Sequence, residues 1–270
     1  MKKVLTIAGS DSLSGGGLQA DLRTFSEYRL VAENVVTCIV SVKPETDKVS
    51  IQEVFPLNIE KQLMSIDNDL LAIKIGMLGS IETGKLVASF LKERENIPVV
   101  LDPVLALKES GFESNQKIID FFKQELLPQA TITTPNLKEA ELLSGMNSIN
   151  NLEDMKVAAV KIYQTGVKNV VIKGGQRLEG NIAYDVLYNG REHVVLEQEK
   201  LFNGFNNGAG CTFASAICGG IANGMSVEMA VKKAKIFVYE SIKYGIPFLP
   251  ELGNVYQGGI NRRNDVHNEY

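Results

Sequence analysis

Val4-Leu5-Thr6-Ile7-Ala8 is a short apolar run that leads through Gly9-Ser10-Asp11 into a loop carrying Gly15-Gly16-Gly17. From about Leu18 to Tyr28, Leu18, Leu22 and Phe25 then recur at helical spacing. Such a stretch reads as a buried strand, a glycine-rich loop and an amphipathic helix. The alternation continues outward from it. Further apolar strand candidates stand at Val35 to Val42, Leu71 to Ile75, Val99 to Leu101, Thr131 to Thr133 and Val170 to Ile172, with helical patterns between most of them. Leu152, Met155, Ala159 and Ile162 repeat at helical spacing behind Asn151 as N-cap, and Val227 to Ile242 repeats the pattern near the end. Strands and helices alternating over nearly the whole length predict an α/β fold. Its central, mostly parallel sheet should be covered by helices on both faces, with ligands beyond the carboxyl ends of the strands. Two regions break the pattern. Asn181 to Tyr188 and His193 to Glu197 flank Asn189-Gly190 and predict an edge hairpin with a two-residue turn. The tail after Pro250 lacks periodicity and is expected to be loosely ordered.

The 270 residues, 44% apolar and 22% charged, suit a single domain spanning 1–270. A net charge of −4 argues against a broad nucleic-acid surface. No apolar stretch is long enough to span a membrane, and Val4 to Ala8 behind Lys2-Lys3 is too short for a signal peptide. Cys38, Cys211 and Cys218 lack metal-ligand spacing, and His193 and His267 are too far apart to complete a zinc site. Reduced thiols in a cytoplasmic protein fit best.

The strongest chemical signal is Asn206-Asn207-Gly208-Ala209-Gly210-Cys211-Thr212, which immediately precedes an apolar helical pattern. Small residues at a helix N-terminus let backbone N–H groups converge on an anion. A thiol there is expected to move toward the thiolate, making Cys211 a candidate base or hydroxyl orienter; the rival reading is a small buried thiol. Gly15 to Ala20 formally matches G-x-G-x-x-A, yet the second strand ends in Val40-Ser41-Val42-Lys43 without the acid a ribose needs, which disfavours a dinucleotide. There is no G-x-x-x-x-G-K-[ST], so any kinase here is not of the P-loop type. Lys173 ends a strand before Gly174-Gly175 and is either a phosphate ligand or a solvated lysine. Asn136 and Glu139 form N-x-x-E at a helix start, fit either for water on Mg²⁺ or for ordinary capping. Asp102 and Asp11 are strand-end acids, and Asp21, within the first helix, is by type more often solvated than a ligand.

Taken together and in order, several segments resemble the ribokinase superfamily, in the branch of the hydroxymethylpyrimidine/phosphomethylpyrimidine kinases and the pyridoxal kinases similar to them. They are Thr6 to Asp11 with Gly15 to Asp21, Lys74-Ile75-Gly76-Met77-Leu78, Asp102-Pro103-Val104, Thr134 to Ala140, Ile172 to Gly175 and Gly208 to Phe213. The resemblance implies a three-layer α/β/α kinase. Its substrate would lie against Gly9, Asp11, Gly16 and Asp21, with Val42, Met77 and Val104 lining the pocket. ATP would lie near Asn136, Lys173, Gly175, Thr212 and Lys235, with Mg²⁺ near Asp102 and Glu139. Gly208, Ala209 and Gly210 would form the anion hole beside Cys211, and the family implies a homodimer. Pyrimidine kinases of the branch usually carry Gln where this chain has Val42, and an apolar residue cannot pair with an aminopyrimidine edge. That favours phosphorylation of the 5′-hydroxymethyl group of a B6 vitamer, pyridoxal, pyridoxine or pyridoxamine. The thiamin-pathway pyrimidine is the alternative, and a non-catalytic ligand-binding protein is a third reading. Two departures restrain the carry-over. Leu105-Ala106-Leu107-Lys108 holds no lid cysteine, although the stretch through Gly111 could still form a lid, and Asn207 stands where a His is common.

Overall fold

The computed structural model describes residues 1–43, 48–105, 116–202, 204–249 and 252–261; the candidate lid stretch beyond Leu105 lies outside them. The chain opens with strand β1 (Lys3–Asp11) and helix α1 (Gly17–Glu27), followed by β2 (Val31–Lys43), β3 (Lys48–Glu53), α2 (Pro56–Met64), β4 (Ile73–Ile75) and α3 (Ile81–Lys92). Next come β5 (Val99–Leu101), α4 (Gln116–Phe121), β6 (Ile132–Thr133), α5 (Leu137–Ser144), α6 (Leu152–Tyr163) and β7 (Val170–Lys173). The edge hairpin β8 (Ile182–Tyr188) and β9 (His193–Glu199) precedes α7 (Ala209–Ala222), α8 (Val227–Lys243), β10 (Ile246–Leu249) and β11 (Leu252–Asn254). The nine strands of the main sheet run β3-β2-β1-β4-β5-β6-β7-β8-β9. Pairing is parallel from β2 through β7 and antiparallel at both edges.

Neighbouring residues on each central strand enter different cores, because successive strand side chains point to opposite faces. Leu5, Leu101 and Ile172 pack in one core with Val87 and Leu91 of α3, Leu143 of α5 and Ile162 of α6. Val4, Val100 and Val171 pack in the other with Phe25 of α1, Ile217 of α7 and Val231 and Ala234 of α8. Three layers follow directly. The long apolar runs that predicted the central strands are the runs buried on both faces.

Three features differ from the sequence expectation. The Asn189-Gly190 hairpin has a four-residue loop, since Tyr188 pairs with His193. Asn189 does not take positive φ there; its side chain instead accepts from the N–H groups of Arg191 and Glu192, and only Gly190 takes positive φ. Strand β3 was not foreseen: Lys48 to Glu53 pairs with β2 at the opposite edge. The tail is also ordered where described, with Asn254, Val255 and Gln257 buried.

A β-bulge shapes the site end of β2. Ala8 pairs with Val36 and Ser10 with Ile39, so Gly9 faces the two residues Thr37 and Cys38. Glycine is required because a Cβ at residue 9 would lie 2.7 Å from the Cys38 sulfur.

Candidate active site

Four helices are capped by a side chain: Ser80, Asn136, Asn151 and Ser226 accept from the first turns of α3, α5, α6 and α8. Helices α1 and α7 start instead on Gly16 and Gly208, with no capping side chain. Their N-termini meet at the carboxyl end of the sheet. A Cβ on Gly16 would lie 3.9 Å from the Cys211 sulfur, and the Gly17 N–H donates to that sulfur. Gly208 has φ of 85°, and a Cβ on it would overlap the Gly15 carbonyl, so the two loops are in backbone contact. Ala209 N–H is taken by Asn206 and Thr212 N–H by Gly208. Gly210 and Cys211 therefore supply the N–H groups that α7 offers to an anion.

Lys173, at the end of β7, lies beside the first turn of α7: its ammonium is 3.3 Å from where a Cβ of Gly210 would sit and 2.9 Å from Asp102 Oδ1. Asp102 also accepts from Thr134 Oγ1 at 2.9 Å. Burial works against the charge on Lys173, but Asp102 and Glu139 outweigh it and hold its pKa above the usual lysine value. Glu139 is buried, and together with Asn136 forms a complete capping box on α5. Burial, with Asp102 adding to it against Lys173, raises the Glu139 carboxyl to about 7. Of the two N-x-x-E readings the capping one is observed, and the same residue is also an acid beside the lysine. Among the described residues no group of three or more His, Cys, Asp or Glu side chains could enclose a metal. Two oxygen-donor acids still suit Mg²⁺, which keeps several waters.

The expected thiolate is not found at Cys211. Burial pushes its pKa up to about 11, with Asp21 and Asp102 adding to the rise and Lys74 and the Gly17 N–H opposing it. Desolvation outweighs the helix terminus, and the resting group is a thiol.

A cleft of about 520 Å³ opens beside the first turn of α7, lined by Asn136, Lys173, Gly175, Ala209, Gly210 and Lys235 among others. Apolar Leu201, Phe213, Val238 and Ile242 line it as well, a composition suited to a flat base with phosphates at one end. The sequence model of the phosphomethylpyrimidine kinase family matches residues 11–255 of the chain. The chain belongs to that family. Within it, the chain is 39% identical to the pyridoxine kinase of Bacillus subtilis over 258 residues, 94% of each chain. It superposes on the pyridoxal kinase of Staphylococcus aureus, solved with AMP-PCP and pyridoxal, with a TM-score of 0.91 and 40% identity, covering 97% of this chain and 95% of that one. Against the phosphomethylpyrimidine kinase of Clostridium difficile the TM-score is 0.76 at 34% identity, over 90% of this chain and all of that one.

In this phosphomethylpyrimidine kinase family member, Gly16, Cys211 and the Gly208–Gly210 turn come together, as do Lys173, Asp102 and Glu139. Met77 and Val104 line one small cavity with Phe121 and Phe122. Other expected residues face elsewhere. Asp11 folds its own loop, its carboxylate accepting from the N–H groups of Leu13, Gly15 and Gly16. The Thr212 hydroxyl is buried and accepts from Gln257 Nε2 at 3.0 Å. The Lys235 ammonium is held by Asp185 at 2.8 Å and the Ala183 carbonyl at 3.0 Å, so the lysine enters the cleft wall by its stem. Val42 is half-buried at the end of β2, outside both cavities. Asp21 is not solvated. It is wholly buried in an ion pair with Lys74 at 2.8 Å, and also accepts from Thr6 and Ser215. Lys74 had a sequence signal, since a lysine between Ile73 and Ile75 on a central strand needs a buried partner. Thr134, Asp185 and Ser215 gave none, being common polar residues whose partners are remote in sequence.

Proposed function

We propose that the protein transfers the γ-phosphoryl group of ATP to the 5′-hydroxymethyl group of pyridoxal, pyridoxine or pyridoxamine. The observation that carries this reading is the meeting of Gly16, the Cys211 thiol, the Gly210 and Cys211 N–H groups and Lys173 at one point. An acceptor hydroxyl beside the thiol and a phosphoryl group on the N–H donors and the ammonium are within reach of each other there. Phosphoryl transfer places charge on the transferred oxygens, which these preorganised donors stabilise. As a neutral thiol, Cys211 orients the hydroxyl by hydrogen bonding, and a weak acceptor suffices when the transition state is loose. Asp102 and Glu139 are the residues that would hold Mg²⁺, which neutralises phosphate charge when bound.

The B6 vitamer is preferred to the pyrimidine because the pyridoxal kinase superposes better than the pyrimidine kinase. The second reading, a hydroxymethylpyrimidine or phosphomethylpyrimidine kinase, is favoured by the family match itself. Measuring ADP release with pyridoxal, pyridoxine, hydroxymethylpyrimidine and its phosphate separates them. Turnover should be highest with a B6 vitamer; pyrimidine turnover far above pyridoxal turnover would overturn the choice. Three free cysteines suit a cytoplasmic enzyme, and no described helix is long and apolar enough to cross a membrane. The resemblance adds a homodimer, and the exposed Phe55, Leu57 and Met64 of the α2 region are available for burial in one.

A further inference from the structure

The substrate-side loop and the phosphate-side turn come from opposite ends of the chain, yet transfer requires them to be in register. They touch directly where Gly15 meets Gly208 and where Gly16 and Gly17 meet the Cys211 sulfur. A third segment ties them by hydrogen bonds. Asn254, only 6% exposed at the end of β11, accepts from Asn207 Nδ2 at 2.7 Å and donates its own amide to the Leu13 carbonyl at 3.1 Å. Its side chain thus joins the residue before the anion-hole glycine to the glycine loop. The backbone reinforces the join: Asn207 N–H donates to Gly253, and Val255 N–H donates to Asn207, both at 3.1 Å. The join is also closely fitted, since a Cβ on Gly15 would run into both Asn207 and Asn254. Three residues on, Gln257 grips the first turn of α7 through Thr212.

We infer that Asn254 is a positioning residue that acts through Asn207 and Leu13 to hold the acceptor loop against the anion hole; the inference rests on the kinase reading above. An asparagine suits the task because one amide offers an acceptor to Asn207 and a donor to the Leu13 carbonyl at once. Apolar residues of similar size offer neither, and Asp keeps only the acceptor. Reacting groups out of line by about 1 Å can cost on the order of a hundredfold in rate, whereas neither Asn254 nor Leu13 lines the cleft beside Lys173 and Gly210.

The test compares wild type, Asn254→Ala, Asn254→Asp, Asn207→Ala, the Asn254→Ala/Asn207→Ala double variant and Asn261→Ala. The last cuts the same tail loose at an exposed contact with Glu27. The readouts are kcat with pyridoxal, the dissociation constant for ADP and the melting temperature. Asn254→Ala should lower kcat roughly ten- to hundredfold while ADP affinity stays within about twofold. The double variant should be little worse than Asn207→Ala, and Asn261→Ala should match wild type. The inference is overturned if Asn254→Ala keeps wild-type kcat, if ADP affinity falls in step with kcat, if the double variant is additive, or if Asn261→Ala does equal damage. Should Asn254→Ala not fold, Asn254→Asp, which keeps the volume and one hydrogen bond, is judged by the same kcat and ADP criteria. A wild-type protein inactive on every acceptor refutes the kinase reading instead, and the inference with it.

Discussion

Removing the Asp21 carboxylate should be among the most damaging single changes to this protein. Its oxygens receive Thr6 Oγ1 at 2.6 Å, Lys74 Nζ at 2.8 Å and Ser215 Oγ at 2.7 Å, and both charged side chains are wholly buried. Asp21→Ala leaves a buried ammonium without a counter-charge and two buried hydroxyls without an acceptor. Breaking a buried pair in this way costs about 3–5 kcal/mol. At ~2–4 °C per kcal/mol for chains near this size, the melting temperature should fall by roughly 6–20 °C. Burial acts against the Lys74 charge, but Asp21 and its neighbours raise the Lys74 pKa above 10.5. A raised folded-state pKa means that this stabilisation is fully present below the unfolded value and is lost only as pH rises through the folded one. A melt at pH 7 therefore reads the whole effect. Calorimetry on Asp21→Ala, Lys74→Met and the double variant forms the assay. The double variant should be less destabilised than the sum of the singles by at least about 2 kcal/mol, because it leaves no unpaired charge. Additivity within about 0.5 kcal/mol would show that the two groups do not act as a pair, and the reasoning would fail.

Two further outcomes are expected. The folded Glu139 carboxyl keeps its proton to about pH 7 against 4.5 in the reference state, so the native protein binds more protons between those values and loses stability as pH rises through them. Urea midpoints of nucleotide-free wild type and Glu139→Gln, taken from pH 5 to 8, should show that slope flattened in the variant; parallel profiles would rule it out. Cys211, a thiol with a pKa of about 11, should alkylate slowly at pH 7 and faster as pH rises, with Cys211→Ala lowering kcat at least roughly tenfold. Full turnover by Cys211→Ala with normal ATP binding would remove the thiol from the reaction.

The α/β layering is legible in local pattern alone, since apolar runs such as Val99 to Leu101 and Val170 to Ile172 must be buried on both faces. The sequence also pointed to the Gly208 turn as a candidate anion site, and α7 does start there with no side chain capping its N–H groups. Local pattern was enough for both. The states and partners of the polar groups follow instead from packing between segments remote in sequence. Helix position argued for a thiolate at Cys211, but depth of burial made it a thiol. Residue type argued for a solvated Asp21, but Lys74, remote in sequence and adjacent in space, made it half of an ion pair. The unpatterned tail places Asn254 between the two loops of the site, a role set by hydrogen bonds across 47 and 241 residues of chain. Periodicity records which face of an element is apolar. Desolvation and long-range polar pairing depend on what packs against that face, and that is settled only when the chain has folded.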